Sequence, residues 1–238
     1  TQTIWGEGFA RDVSECILNI GEGVTSIPDY LFYKNPGITQ ITIPESVTKI
    51  GKSAFNNCNS LTTITIPKSV TEIGERALAG GDNLTAINVD SNNLHYTSEE
   101  GVLFNIEKTK LIQCPPAKYG TYTIPDGVDI LENFAFTDSK LTSIIIPNSV
   151  TKIGEDVFED AQNLTSIEIP NSVTSLGEYL LAGCSSLNDL KLPSTLKIIN
   201  SGAFTNCDSL TNVKLPKGLT TINGAFANCD NLETVTIP

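Results

Sequence analysis

Residues 141–163 read LTSIIIPNSVTKIGEDVFEDAQN, and residues 164–186 read LTSIEIPNSVTSLGEYLLAGCSS. The second stretch is a near copy of the first and follows it directly. Both fit the pattern L-x-x-I-x-I-P-x-x-V-T-x-I-G-x-x-A-F-x-x-C-x-x, and the rest of the chain after residue 14 can be divided in the same way. The repeats begin at Glu15, Ile38, Leu61, Leu84, Tyr119, Leu141, Leu164, Leu187, Leu210 and Leu232.

The repeat length is almost constant. Successive repeats are 23 residues apart, except for a 35-residue repeat at 84–118 and 22-residue repeats at 119–140 and 210–231. The last repeat, 232–238, stops after seven residues. A fixed period of this length is typical of proteins in which copies of one supersecondary unit stack on each other.

Each repeat predicts one short strand followed by a turn. The fourth and sixth positions are apolar or aromatic in every repeat and mostly β-branched, an alternation that favours a strand with two inward side chains. Proline follows in eight of the ten repeats and is expected to end the strand. A buried V-x-x-I pair comes next. A short turn of helix is then predicted to carry the A-F pair, as in Ala54-Phe55 and Ala203-Phe204.

One repeat cannot bury all of these apolar groups by itself. Stacking the repeats in register turns each apolar position into a continuous column through one long core. The 238 residues, 39% of them apolar, are enough for such a core. The sequence therefore predicts a repeat solenoid.

The pattern L-x-x-I-x-I-x-x-x-V-x-x-I resembles that of leucine-rich repeats. The variant I-P-x-S-V-T-x-I-G-x-x-A-F-x-x-C resembles the BspA-like class, which is found on bacterial and some protist cell surfaces, and the resemblance covers residues 15–238. It implies a right-handed horseshoe or arc, with a parallel β-sheet on the concave face and short strands, turns or short helices on the convex face. Serine replaces the usual ladder asparagine at Ser46, Ser69, Ser149 and Ser172.

The repeat at 84–118 departs from the pattern. Its segments GVLFN and KLIQC flank IEKT, which predicts a β-hairpin with a four-residue turn. The segment also resembles an irregular repeat of the same family with the core V-D-x-x-N-x-x-Y-x-S-x-x-G-V-L. It is interpreted either as a protruding recognition element or, preferably, as a variation in packing. The nearby oxygen-bearing side chains could suit calcium, but turn chemistry explains them as well: Asp90, Asn92, Asn93, Glu99 and Glu100.

The two ends of the chain lie at the borders of the repeat. Residues 1–14 carry Trp5 and Phe9 and are predicted to form an N-terminal cap over the first repeat. The last strand would leave an unpaired edge. We expect either that the natural protein continues beyond it or that copies associate end to end through this strand.

Four cysteines share one repeat position: Cys58, Cys184, Cys207 and Cys229. Their spacing is the repeat period, not the two to four residues that zinc sites need, so they are predicted to be small buried residues with free thiols. The distance between neighbouring strands leaves a Cys184–Cys207 bridge open. A Cys16–Cys114 bridge would contradict the predicted register. No metal or cofactor is expected.

Composition and motifs argue against several classes of function. The net charge of −12 and the lack of basic runs make nucleic acid a poor partner, and no apolar run is long enough for membrane insertion. His95 is the only histidine, and it has no nucleophile motif beside it. A phosphate-binding glycine loop is also missing. We therefore predict a protein that is not an enzyme.

The outward positions of the strand are two, three and five, and positions seven and eight follow at its end. At positions three and five the early repeats are neutral and rich in hydroxyl residues, whereas the later repeats carry mixed charges. The predicted partner-binding residues are Ile145, Glu168, Asp189, Lys191, Asn212, Lys214 and Lys217.

The favoured hypothesis is an adhesion-type interaction module, extracellular or on the cell surface. Its partner would be an extracellular protein such as a host matrix or cell-surface protein, and adhesion is what the family resemblance implies. The alternative is a structural spacer that displays other domains. A third hypothesis, recognition of a regular lattice by columns of threonine, is weakened by Asn88, Ile145, Glu168 and Lys191, which interrupt the columns.

Overall fold

The structure is a computed structural model that describes residues 15–237. The predicted cap at 1–14 lies outside the described residues. The chain forms two compact units, one containing residues up to 106 with 113–117, and the other containing 107–112 with 118 onwards. The division between the units lies inside the irregular repeat.

The first unit holds parallel strands and one antiparallel hairpin. Its strands are β1 (Cys16–Asn19), β2 (Ser26–Ile27), β3 (Ile38–Thr42), β4 (Lys49–Ile50), β5 (Thr63–Ile66), β6 (Glu72–Ile73), β7 (Ala86–Val89), β8 (Tyr96–Glu99) and β9 (Val102–Asn105). Strand β1 pairs with β3, β5 pairs with β7, and β2, β4 and β6 form a parallel three-stranded sheet.

The second unit repeats the same arrangement with parallel strands. They are β10 (Lys110–Gln113), β11 (Tyr119–Thr123), β12 (Ile130–Leu131), β13 (Lys140–Ile145), β14 (Lys152–Ile153), β15 (Ser166–Glu168), β16 (Ser175–Leu176), β17 (Asp189–Lys191), β18 (Ile198–Ile199), β19 (Asn212–Lys214), β20 (Thr221–Ile222) and β21 (Thr234–Thr236). Strands β11, β13, β15 and β17 form a four-stranded sheet, and β19 pairs with β21. The short strands form β10–β12–β14 and β16–β18–β20.

Each regular repeat contributes two strands rather than the single strand emphasised by the sequence pattern. The first is the predicted strand, in which apolar and polar side chains alternate: in β5, Ile64 and Ile66 are buried whereas Thr63 and Thr65 are exposed. The second is a two-residue strand that contains the isoleucine of the V-x-x-I pair, such as Ile50 in β4. A proline lies between the two strands and turns the chain from one sheet to the other.

The predicted turn of helix is wrong, because residues 15–237 contain strands and turns but no helix. The backbone N–H groups of the A-F segment donate hydrogen bonds alternately to their own repeat and to the next repeat. The N–H groups of Phe134 and Phe136 donate to carbonyls of the next repeat, whereas those of Ala135 and Thr137 donate three residues back. A helix would direct all of these donors into its own segment, which would break the contact between repeats. No helix of the described chain could therefore cross a bilayer.

Two residues per repeat accordingly adopt a left-handed backbone. Phe134 has φ 62° and Asp138 has φ 59°, and the equivalent residues of the preceding regular repeats include Ser53 at 51° and Asn57 at 60°. These conformations are unfavourable for most side chains. They place every second N–H toward the neighbouring repeat.

The predicted serine column bonds between repeats. Ser69 Oγ donates to the Val47 carbonyl at 2.7 Å, and Ser149 Oγ donates to the Val128 carbonyl at 2.7 Å. Position two adds a second column, in which the hydroxyl of Thr165 donates to the carbonyl of Thr142 at 3.1 Å. Hydroxyl groups therefore supply the hydrogen bonds between repeats at the serine and threonine columns.

The core contains columns of stacked aromatic side chains. Phe136 and Phe158 are stacked at 5.4 Å between ring centroids, and Phe204 and Phe226 are stacked at 5.1 Å. Phe136, Phe158 and Phe204 are completely buried. Where neighbouring repeats both carry phenylalanine at this position, the rings stack, as the stacking argument predicts.

The irregular repeat contains a hairpin that the sequence analysis missed. Strands β8 and β9 pair antiparallel through the two-residue loop Glu100-Gly101, whose φ angles of 49° and 78° are both positive. Such a loop matches the twist of a hairpin. The strands predicted from GVLFN and KLIQC are present as β9 and β10, with the predicted turn residues 106–109 between them.

Polar side chains attach the irregular repeat to the repeat before it. Asn93 lies buried in the valine column, and its Nδ2 donates to the carbonyls of Pro67 at 2.8 Å and Val70 at 3.0 Å. Its Oδ1 accepts the N–H groups of His95 and Tyr96. All four hydrogen-bonding positions of the amide are thus used.

Two hydroxyls of the same repeat also accept backbone hydrogen bonds. Tyr96 Oη accepts the N–H of Ile73 at 3.1 Å, and Ser98 Oγ accepts the N–H of Val89 at 3.1 Å. The residues of the N-x-x-Y-x-S motif therefore bond into the fold, which agrees with the interpretation of this repeat as a packing variation.

Candidate binding surface

The outward side chains of the first strand in each repeat lie on an exposed face. All ten residues at position five are exposed, as predicted: Asn19, Thr42, Thr65, Asn88, Thr123, Ile145, Glu168, Lys191, Lys214 and Thr236. The residues at position four pack inward in most strands of the second unit. Ile144 and Ile167, for example, are buried, whereas Val235 in β21 is 37% exposed. The alternation of a pleated strand thus directs one residue type to the core and another to the solvent.

The longest continuous part of this face in the described chain lies in the second unit. We call the outward face of strands β11, β13, β15 and β17 the exposed strand face. The register places Ser143 beside Ser166 and Ser166 beside Asp189. Ile145, on β13, is 52% exposed.

Glu168 and Lys191 form a pair across this face. They are direct partners in the register of β15 and β17, and Lys191 Nζ lies 3.2 Å from Glu168 Oε2. The hydrogen bond to Glu168, and then the negative charges of Glu168 and Asp189, raise the pKa of the Lys191 ammonium. Because both side chains are largely exposed, the pair fixes a charge pattern more than it stabilises the fold.

A shallow, open depression of about 410 Å³ lies over β13, β15 and β17. Small serines and inward isoleucines form its floor, and longer polar side chains form its rim. Its lining residues are Ser143, Ile144, Ile145, Ile146, Asn148, Ser166, Ile167, Glu168, Ile169, Pro170, Asn171, Asp189 and Lys191. A depression of this kind suits a protein surface better than an enclosed small molecule.

The structure brings together four of the seven predicted partner-binding residues. Ile145, Glu168, Asp189 and Lys191 all line the depression. Asn212 and Lys214 are exposed on β19, which belongs to a different sheet, and Lys217 is exposed in the turn that follows. The binding role of all seven residues stays a prediction.

The rim of the depression also contains two asparagines that the sequence analysis did not name. Asn148 and Asn171 occupy position eight of neighbouring repeats, directly after the prolines. Asn171 Oδ1 accepts hydrogen bonds from the N–H and the hydroxyl of Ser194, at 2.8 and 2.9 Å. The repeat pattern places position eight at the end of the outward strand positions, so it could have identified these two asparagines.

The residues considered for calcium have other hydrogen-bond partners. Asp90 Oδ1 accepts the N–H and the side-chain amide of Asn92, and these bonds lower the pKa of its carboxyl. Asn93 is fully occupied by backbone groups, as described above. Among residues 15–237, no three His, Cys, Asp or Glu side chains are grouped so that they could hold a metal ion.

Three of the four cysteines of the column are buried, as predicted, whereas Cys229 in the last complete repeat is half-buried. Each thiol donates to a carbonyl of the preceding repeat, as Cys58 Sγ does to Phe32 and Cys207 Sγ does to Leu181, both at 3.2 Å. Burial raises the pKa of both of these thiols to about 12. Thiols of this kind are poor nucleophiles, because only the thiolate reacts readily.

These features define a class of protein: a parallel β-solenoid that presents an open sheet face and buries most of its thiols. The family model for the BspA type leucine-rich repeat region matches six copies in the chain, at residues 25–120 and 129–238. The chain therefore belongs to the BspA type leucine-rich repeat family, as the sequence pattern predicted.

Solved structures of bacterial proteins are similar to this chain. A leucine-rich cell surface protein from Faecalibacterium prausnitzii is 32% identical, with a TM-score of 0.84 over 93% of this chain and 59% of its own. A leucine-rich repeat protein from Eubacterium ventriosum is 30% identical, with a TM-score of 0.69 over 93% of this chain and 78% of its own. The present chain thus spans about three fifths of the F. prausnitzii protein.

The pneumococcal vaccine antigen PcpA shares the fold. It is 23% identical, with a TM-score of 0.66 over 94% of this chain and 50% of its own. No curated protein sequence matches the chain.

Proposed function

We propose that this protein is a non-enzymatic interaction module of the bacterial cell surface, which binds an extracellular protein through the exposed strand face. The observation that carries the proposal is the arrangement of Ile145, Glu168, Asp189 and Lys191 around one open depression. An exposed apolar side chain beside fixed charges is a combination that protein interfaces use.

The shape of the depression favours a protein partner. Its floor is shallow and spans three strands, so an occupant would touch many side chains without being enclosed. Large flat contacts of this kind are characteristic of protein–protein interfaces. Hydrogen bonds between neighbouring repeats, such as that of Thr165 to Thr142, hold the strands in register, and an interface that is already ordered binds at a lower entropic cost.

The proposed location is supported by similarity. The F. prausnitzii relative is described as a leucine-rich cell surface protein, and it is 32% identical to this chain. We extend that location to the present protein. The broader adhesion role and the identity of an extracellular partner, such as a host matrix protein, belong to the same proposal.

A charge-reversal experiment tests the proposal. The variant Glu168→Lys/Lys191→Glu/Lys214→Glu reverses two charges of the exposed strand face and the charge of Lys214 on β19. It still places opposite charges at the positions that form the ion pair. The immobilised protein is exposed to a panel of extracellular-matrix and cell-surface proteins. We expect saturable binding of at least one of them, and loss of that binding in the variant.

The matched control reverses a second pair elsewhere. Lys49 and Glu72 form an exposed ion pair of 2.6 Å on the short-strand sheet of the first unit. The variant Lys49→Glu/Glu72→Lys should therefore fold and bind as the wild type does. If no panel protein binds while all variants remain folded, the spacer function replaces this proposal.

A further inference from the structure

Asn223 and Gly224 form the only Asn-Gly dipeptide in the sequence. They lie in the turn after β20, and both residues are exposed. Asn223 occupies position fourteen of its repeat, where four earlier repeats carry glycine: Gly51, Gly74, Gly154 and Gly177. Asn200 and Asn223 are the two asparagines at this position, in the two repeats before the last one.

Asn223 is exposed, whereas the same position is crowded by the preceding repeat at two of the earlier glycines. A Cβ on Gly51 would lie only 2.5 Å from the N atom of Asp29, and one on Gly74 would meet the backbone of Lys52. Around Gly224, by contrast, a Cβ would meet nothing within 4 Å. The dipeptide is thus in open space on the outside of the turn.

The reacting groups of the dipeptide are not held by hydrogen bonds. Within the described residues, neither the side-chain amide of Asn223 nor the N–H of Gly224 has a hydrogen-bond partner. Asn200, one repeat earlier, is different because its Nδ2 donates to the carbonyl of Leu176 at 2.9 Å. Asn200 is also followed by serine rather than glycine.

We propose that Asn223 is a site of spontaneous deamidation. The backbone nitrogen of Gly224 attacks Cγ of Asn223, forming a C–N bond and closing a five-membered succinimide. The side-chain amide nitrogen leaves as ammonia and takes up the proton lost by Gly224. Water then opens the ring at one carbonyl to give aspartate, or at the other to give isoaspartate. Glycine favours the attack because it has no Cβ to obstruct it.

Isoaspartate would disturb the contact between two repeats. The N–H of Asn223 donates to the carbonyl of Ile199 at 3.0 Å, and the N–H of Phe204 donates to the carbonyl of Ala225 at 2.9 Å. Isoaspartate adds one methylene to the main chain between these two bonds. Both bonds cannot then keep their register, so the repeat at 210–231 would be loosened from the preceding repeat.

The structure contains an internal comparison. Asp126 and Gly127 form an exposed Asp-Gly dipeptide, and such a pair can also close to a succinimide. There, however, the N–H of Gly127 donates to Ser149 Oγ at 3.2 Å, which holds the attacking nitrogen away from the carboxyl. We therefore expect little isoaspartate at Asp126 under conditions that modify Asn223.

The test is timed incubation of the folded protein in mildly alkaline buffer, followed by peptide mapping with mass spectrometry. Deamidation replaces the NH2 of the side chain by OH and so raises the mass of the peptide. We expect this mass increase to appear several times faster in the peptide containing Asn223 than in any other peptide that contains asparagine. Isoaspartate is assigned with a methyltransferase specific for that residue. The Asn223→Gln variant should lack the reaction.

Two outcomes would overturn the proposal. One is modification of Asn223 no faster than that of Asn148 or Asn171; the other is modification seen only when the chain is unfolded in urea. The Asn223→Asp variant then separates charge from backbone length. It should melt close to the wild type, whereas the isoaspartate fraction should melt at a lower temperature.

Discussion

The backbone carbonyl of Gly154 occupies the space that a Cβ on Gly177 would need. The two glycines share position fourteen of neighbouring repeats, and Gly154 is itself packed against Asn133 of the repeat before it. Gly177 does not have a positive φ. Its requirement for glycine therefore comes from the close approach of two backbones, and not from an unusual conformation.

Replacing Gly177 with alanine should destabilise the fold, because the added methyl group meets a neighbouring backbone that cannot rotate away. We expect a loss of about 1–3 kcal/mol in the free energy of unfolding, measured with urea. Gly218→Ala is the matched control. Its Cβ would come closest to the mobile Nζ of Lys197, at 2.8 Å, so this variant should be neutral or slightly stabilised. Equal effects at both glycines would refute the close-approach argument.

Replacing Asn93 with valine, the residue common in its column, should also destabilise the protein. The change leaves the carbonyl of Val70 and the N–H groups of His95 and Tyr96 without their partner, and the carbonyl of Pro67 keeps only the N–H of Val70. Unsatisfied buried groups cost about 1–3 kcal/mol each, so the loss should exceed about 2 kcal/mol. Asn92→Ala, an exposed change in the same turn, should cost less than about 0.5 kcal/mol. Thermal unfolding measures both losses of stability. Equal losses in the two variants would contradict the role assigned to the buried amide of Asn93.

Removing the hydroxyl of Tyr96 should have a local effect on β6. Tyr96→Phe leaves the N–H of Ile73 without its acceptor at 3.1 Å, and we expect a loss of about 1 kcal/mol. The amide proton of Ile73 should exchange faster with solvent, which NMR can follow residue by residue. Tyr119→Phe, at a tyrosine that is 85% exposed, should leave that exchange rate unchanged. Unaltered exchange at Ile73 in the Tyr96 variant would contradict the assigned bond.

The repeat pattern predicted the first strand of each repeat because its signal is local. Alternating apolar residues such as Ile64 and Ile66 define two faces, and a proline marks the end of the strand. The turn after Gly51 was harder to predict, because Ala54-Phe55 by itself is compatible with a helical turn. The deciding interaction is a bond from Phe55 to Ala77 in the next repeat, 22 residues later. Only the stacked structure contains that partner.

The exposure of the candidate site could also be predicted from the local pattern, but the pairing of its side chains could not. Position five was recognised as exposed because the strand alternates, which placed Ile145, Glu168 and Lys191 on one face. The sequence did not show that Glu168 and Lys191 neutralise each other, since the pairing depends on the register of β15 and β17. It also gave no reason to separate Lys214, on β19, from Lys191.

The buried thiols should make the protein sensitive to alkali. Burial raises the pKa of Cys58 and of Cys207 to about 12, whereas an unfolded thiol titrates near about 8.5. The folded state therefore binds more protons than the unfolded state in this interval. Stability is fully present below the unfolded pKa and is lost as the pH rises toward the folded pKa.

We expect the free energy of unfolding to fall by up to about 1.4 kcal/mol per pH unit for each of the two thiols between about pH 8.5 and 12. Urea unfolding at several pH values measures this slope. The double variant Cys58→Val/Cys207→Val should show a shallower slope, even if it is less stable at neutral pH through loss of the bonds to Phe32 and Leu181. Ile64→Val, a buried change that removes no titratable group, is the control and should keep the wild-type slope. An identical slope in the wild type and the double variant would show that these thiols are not the source of the pH dependence.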